Sequence, residues 1–127
     1  MNLLLDTHIL IRILNGDTSL SSDIISNANY KTNNIYISVA SLWEMSIKIS
    51  LKKLVINGTF EDILNVLQKN LITVLPIEHV HLTALLDLPW LHKDPFDRLI
   101  IAQSLVQKLT LITDDNYIRS YPDIQIL

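Results

Sequence analysis

The feature that most constrains this chain is an alternation. Short apolar runs of β-like composition take turns with segments of helical periodicity. The runs are Asn2–Leu5, Ile35–Ile37, Ile72–Leu75, Leu109–Thr113 and Ile124–Leu127. Between them the spacing predicts helices over Thr7–Leu14, Ser19–Asn29, Val39 to about Leu54, and from the Thr59-Phe60-Glu61-Asp62 capping box to Asn70. Further helices are expected over Glu78–Leu86 and Pro95 to about Lys108, with a helical turn over Asn116–Ser120. Strands joined by helices run parallel, and a parallel sheet is covered on both faces. The expected fold class is therefore α/β, three layers around a central parallel sheet.

Composition narrows the chemistry. The 127 residues, 49% of them hydrophobic, suit a single domain spanning 1–127. There is no cysteine, which removes disulfides, thiolate metal sites and cysteine nucleophiles. The only glycines, Gly16 and Gly58, lie in no phosphate-binding loop. The apolar runs are too short for a membrane span, and no signal peptide is evident, so a cytoplasmic protein is expected. A net charge of −3 speaks against a general nucleic-acid binder, although carboxylates that hold a cation would change that count locally.

The acids are where the chemistry gathers. Asp94-Pro95-Phe96-Asp97 reads as a helix start, with Asp94 as N-cap, Pro95 at the first helical position and Asp97 at the third. An apolar stripe of Leu99, Ala102, Val106 and Leu109 follows. Asp6 ends the first strand, Asp114 and Asp115 end a later one, and Glu44 lies one to two turns into the helix after the Ile35 strand. Ligands bind at the carboxyl edge of an open parallel sheet, and these acids fall on that edge. Crowded carboxylates repel each other, and a hard divalent cation resolves the repulsion while serving phosphodiester cleavage. Each acid also has a plainer reading. Asp94 is a cap, Asp97 complements the helix dipole, Asp6 and Asp114 cap helices after strands, and Glu44 pairs with Ser41 or Lys48. Taken together on one edge, the acids favour the site.

Four stretches carry a family resemblance: Leu4-Leu5-Asp6-Thr7-His8, Ser38 to Glu44, His92 to Arg98, and Leu111-Ile112-Thr113-Asp114-Asp115. In this order they resemble the PIN-domain family, and most closely the VapC-like ribonuclease toxins of toxin–antitoxin modules. The resemblance implies a PIN-like α/β/α domain and a Mg²⁺- or Mn²⁺-dependent endoribonuclease. It implies that Asp6, Glu44, Asp97 and Asp115 are the catalytic, metal-holding acids, with Asp114 as the alternative to Asp115. It also implies an RNA substrate, a cognate antitoxin and a homodimer. Thr113 is placed to orient a ligand or a water.

The remaining residues have modest readings. His79 and His81, two apart, share no helix face and make no metal pair. His8 and His92 read as structural and loop residues, with substrate and phosphate contact as the lesser alternatives. Lys48, Lys52 and Lys53 read as a solvated face, and Trp43 and Trp90 as packing residues rather than base-stacking platforms. Two other functions compete. An aspartyl-phosphate phosphatase or receiver would need further acids that this chain lacks: His8 stands two after Asp6, and the Ile72 strand ends in Pro76. A non-catalytic protein-binding domain would show no response to divalent cations.

Overall fold

The computed structural model describes residues 1–17 and 33–127; the helix expected over Ser19–Asn29 lies outside them. Strands β1 (Asn2–Leu5), β2 (Asn34–Ser38), β3 (Ile72–Leu75), β4 (Thr110–Ile112) and β5 (Gln125–Ile126) form one sheet. Its order is β3-β2-β1-β4-β5, and every pairing is parallel. The described helices are α1 (Thr7–Leu14), α2 (Val39–Ser50), α3 (Phe60–Lys69), α4 (His79–Asp87), α5 (Pro95–Gln107) and the short α6 (Asn116–Arg119). None is long and apolar enough to cross a membrane.

Strand alternation builds the two outer layers. Leu3 and Leu5 face one way, into a cluster with Ile9, Ile37, Met45, Ile63 and Leu67 from the α1–α3 side. Leu4 and Leu111 face the other, packing with Ile100, Ile101, Ile118 and Tyr121 from α5, α6 and the segment after it. The chain moves from β1 outward to β2 and β3, then returns to place β4 on the other side of β1. The carboxyl ends of β1 and β4 therefore flank the point where strand order reverses, the usual place for a ligand in such sheets. Backbone bonding fixes that edge, with the Asp6 amide donating to Ile112 O at 3.0 Å.

Two expectations need correction. The helix expected from Val39 to about Leu54 stops at Ser50, and Lys52 lies beyond it, exposed and at positive φ. Helix α5 carries no single stripe: every residue from Asp97 to Ser104 is buried. It is wedged against α2, α4 and β4, so most of its circumference needs cover. The tryptophans pack at the surface rather than in the core: Trp43 is 57% exposed and Trp90 77%. Trp43 sets its ring edge-on to Phe96, and Arg98 lies over Trp90.

The loop between α4 and α5 is pinned from a distance. The Tyr121 hydroxyl donates to Pro89 O at 2.7 Å and accepts from the His92 amide at 2.9 Å and from Arg98 Nη1 at 3.2 Å. Arg98, buried, also donates to Leu88 O and Pro89 O. Removing a buried hydroxyl leaves its partners unanswered. Tyr121→Phe should therefore lower the unfolding free energy by about 1–3 kcal/mol, measured by urea denaturation; an unchanged midpoint would show that the loop does not depend on it.

Candidate metal-binding acidic site

Asp6 follows β1 and is 1% exposed. It stands at the N-cap position of α1, yet its side chain caps nothing. Instead Oδ2 accepts from Thr113 Oγ1 at 2.7 Å, across the β1–β4 edge. Thr113 thus holds Asp6, and its hydroxyl also accepts the Asp115 amide at 3.0 Å. Glu44, 2% exposed, projects from α2. Its Oε2 is 2.8 Å from Lys48 Nζ, one turn on, so Lys48 is engaged rather than merely solvated. The start of α2 is tied to α1 by a 2.7 Å bond from Thr7 Oγ1 to Ser41 Oγ. Asp97, 4% exposed, is carried by the first turn of α5. Asp94 caps that helix, its Oδ1 accepting from the Phe96 and Asp97 amides.

Asp115 and Asp114 part company. Asp115 caps α6 through Oδ1, which accepts from the amides of Tyr117 and Ile118. Its Oδ2 turns toward His92, 3.7 Å from Nε2. Asp114 turns away, with Oδ2 2.6 Å from Arg12 Nη1. Arg98, a cation of the same helix start, also leaves the acids for the carbonyls of the α4–α5 loop.

His92 is the residue that sequence reasoning underrated. Its side chain is 13% exposed, and Nε2 lies 2.9 Å from Asp97 Oδ2. Among the described residues, His92, Asp97 and Asp115 form a group whose ligand atoms lie within 4.8 Å of one another. However, Nδ1 accepts the Asp94 amide at 3.2 Å. Nε2 lies against the Asp97 carboxylate without making a hydrogen bond to it. The sequence signal was slight: a histidine two residues before an N-cap aspartate, brought inward by Tyr121, which is 29 positions away. His8 is 60% exposed at the rim, with Nδ1 3.9 Å from Asp6 Oδ1. The Asp6 carboxylate raises its imidazole above the ordinary value. His81 is buried elsewhere, its Nδ1 accepting the Glu78 amide, so it makes no pair with His79.

One pattern runs through the acids. Three of them spend one oxygen on a fixed partner: Asp6 on Thr113, Glu44 on Lys48 and Asp115 on the α6 amides, while Asp97 Oδ2 only lies against His92 Nε2, which itself has no hydrogen-bond partner. Asp6 Oδ1, Glu44 Oε1 and Asp97 Oδ1 are buried and have no hydrogen-bond partner. Unanswered buried carboxylate oxygens are costly, and a hard divalent cation is the ligand such a set fits. Burial raises the Asp97 carboxyl first, and the charges of Asp6, Asp94, Glu44 and Asp115 add to it, pushing it up to about 8.

The sign of that shift gives a test. A carboxyl whose folded-state pKa lies above its unfolded value favours folding most at low pH. That advantage is lost as pH rises from the unfolded pKa through the folded one. At pH 7.5 folding must either protonate this carboxylate or bury its charge, and Asp97→Asn is spared both, so without divalent ions it should be more stable than wild type by about 1–3 kcal/mol, after screening and relaxation. The gap should narrow at pH 4.5. If Asp97 only complemented the helix dipole, the variant would instead be less stable by about 0.3–1 kcal/mol. Urea unfolding at both pH values in EDTA decides.

Comparison with known proteins agrees with the architecture. The family model of the PIN domain matches residues 3–124. Among solved structures, VapBC2 from Rickettsia felis bound to a promoter DNA fragment aligns with TM-score 0.74 and 20% identity, covering 100% of this chain and 98% of that one. VapBC-1 from nontypeable Haemophilus influenzae gives 0.71 and 17%, covering 100% and 97%. DNA-bound VapBC from Salmonella typhimurium gives 0.67 and 18%, with the same coverage. Comparison with curated proteins gives no match. With the family model spanning nearly the whole chain, this protein belongs to the PIN-domain family.

Proposed function

We propose that this protein is a Mg²⁺- or Mn²⁺-dependent endoribonuclease and the toxin of a toxin–antitoxin pair. PIN-domain proteins are generally nucleases, and the solved structures that this chain resembles are VapBC complexes. The observation that carries the chemistry is the set of unpartnered buried oxygens on Asp6, Glu44 and Asp97. With the free side of Asp115, these residues would hold the ion. A divalent ion bound there supplies a Lewis acid and a water of lowered pKa.

The chain's own residues do the rest. Thr113 fixes the rotamer of Asp6, and Lys48 that of Glu44, so each presents one oxygen in a set direction. His92 packs against Asp97, with Nε2 2.9 Å from Oδ2. Burial of Asp6, Glu44 and Asp97 excludes water from the floor of the site, which strengthens any charge interaction made there. His8 at the rim stands where a phosphate would enter. The cognate antitoxin and a second copy of the chain are the proposed partners.

Cleavage of single-stranded RNA should require Mg²⁺ or Mn²⁺ and stop in EDTA. Asp6→Asn, Asp97→Asn and Asp115→Asn should each lower kcat/KM at least about a hundredfold, a loss of roughly 3 kcal/mol of transition-state stabilisation. Asp114→Asn, which breaks only the pair with Arg12, should retain most activity. Cleavage indifferent to EDTA, or undiminished in Asp6→Asn and Asp97→Asn, would contradict the proposal. A protein stabilised by no divalent ion and cleaving no RNA would fit a non-catalytic binding domain instead.

A further inference from the structure

Beside the acids lies a pocket of about 350 Å³, lined by Trp90, Leu91, His92, Lys93, Asp94 and Tyr117. Its volume falls in the range of small-ligand sites. It is continuous with the site through His92, whose Nε2 touches Asp97 and approaches Asp115. Two of its walls are aromatic and open, with Trp90 77% exposed and Tyr117 64%.

Trp90 is exposed but not loose. The Arg98 guanidinium carbon lies 3.7 Å from the ring centroid. Arg98 in turn is buried and fixed by Leu88 O, Pro89 O and the Tyr121 hydroxyl. Arg98 lines a second pocket on Trp90 but not the one facing Tyr117. The indole is therefore braced by a held cation while remaining 77% exposed. The other aromatic lining residue is braced as well, since the Tyr117 ring lies 5.2 Å from that of His92 at 40°. An aromatic face held open in this way loses little freedom on stacking.

The occupant follows from charge and shape. Lys93 lines the pocket and supplies the cation that a polyanion needs beside a carboxylate cluster. Flat aromatic faces next to a phosphate-cleaving centre suit a nucleobase, which stacks whatever its sequence. Building on the ribonuclease reading, we infer that the pocket between Trp90 and Tyr117 receives the base of a nucleotide adjoining the scissile phosphate. Trp90 and Tyr117 stack the base, and Lys93 meets the backbone.

The test uses the whole chain with Mn²⁺ and a randomised single-stranded RNA library, from which a well-cut sequence is taken. Trp90→Leu should lower kcat/KM on that RNA roughly 5- to 150-fold, mainly by raising KM, while Trp90→Phe keeps most of it. An abasic nucleotide next to the cut should cost wild type a similar factor and cost Trp90→Leu little more, because both remove the same stack. A merely structural tryptophan would shift the unfolding midpoint and would not produce this non-additivity. Equal kcat/KM in wild type and Trp90→Leu, or losses that multiply, overturns the inference while leaving the ribonuclease intact. Unchanged cleavage with altered particle size in light scattering would make this face a protein contact and equally overturn it. Failure of wild type to cut any RNA with either metal removes the ribonuclease reading and this inference together.

Discussion

A carboxylate can be taken out of water only where something answers its charge. Asp97 is nearly without solvent access, and the charges around it are mostly of its own sign. The structure forces it into that position. Helix α5 is buried almost throughout its first half, so its first turn cannot swing outward to solvent. Asp94 and Pro95 set where that helix begins, and the sheet edge sets what it begins against. Much of the site's detail can be understood as an answer to this one constraint. His92 lies against one oxygen of Asp97, and Lys48 offsets one oxygen of Glu44. Neither reaches the oxygens left over.

The same arrangement shows how a fold can aim side chains without rigid scaffolding around each one. The neighbours that hold these oxygens come from near and far: Thr113 at the end of β4 holds Asp6, Lys48 one turn on holds Glu44, and the first amides of α6 hold their own cap, Asp115. Holding one oxygen fixes the other by covalent geometry. The cation-binding reading thus depends on packing between strands and helices far apart in sequence. The hydroxyl of Tyr121, placing both His92 and Arg98, links the acid cluster to the aromatic pocket beside it.

The architecture was legible because its signals are local and periodic. Leu3-Leu4-Leu5 followed by Asp6, and Leu111-Ile112-Thr113 followed by two aspartates, each announce a buried strand and its polar end. Asp94-Pro95 announces a helix start that the backbone bonds confirm. What escaped was set by long-range contact. The different partners of Asp114 and Asp115 were not legible either, since Asp114 pairs with Arg12 on another helix while Asp115 caps α6. His92 looked like a loop residue because Tyr121 draws it inward from far along the chain. Trp90 read as a packing residue, and its packing is against Arg98 at the surface, a contact no local pattern announces. The helix from Val39 was carried on to about Leu54 by extending a period past Lys52, where the backbone turns to positive φ.

The central claim is that the free oxygens of these acids converge on a divalent cation. Calorimetric titration of Mn²⁺ into the metal-free protein tests it without reference to any substrate. The account predicts saturable binding near neutral pH with release of protons, because ligation needs Asp97 ionised and its carboxyl lies at about 8 without metal. The affinity should fall at least about tenfold in Asp97→Asn and little in Asp114→Asn. No saturable binding, or equal binding by wild type and Asp97→Asn, would contradict it.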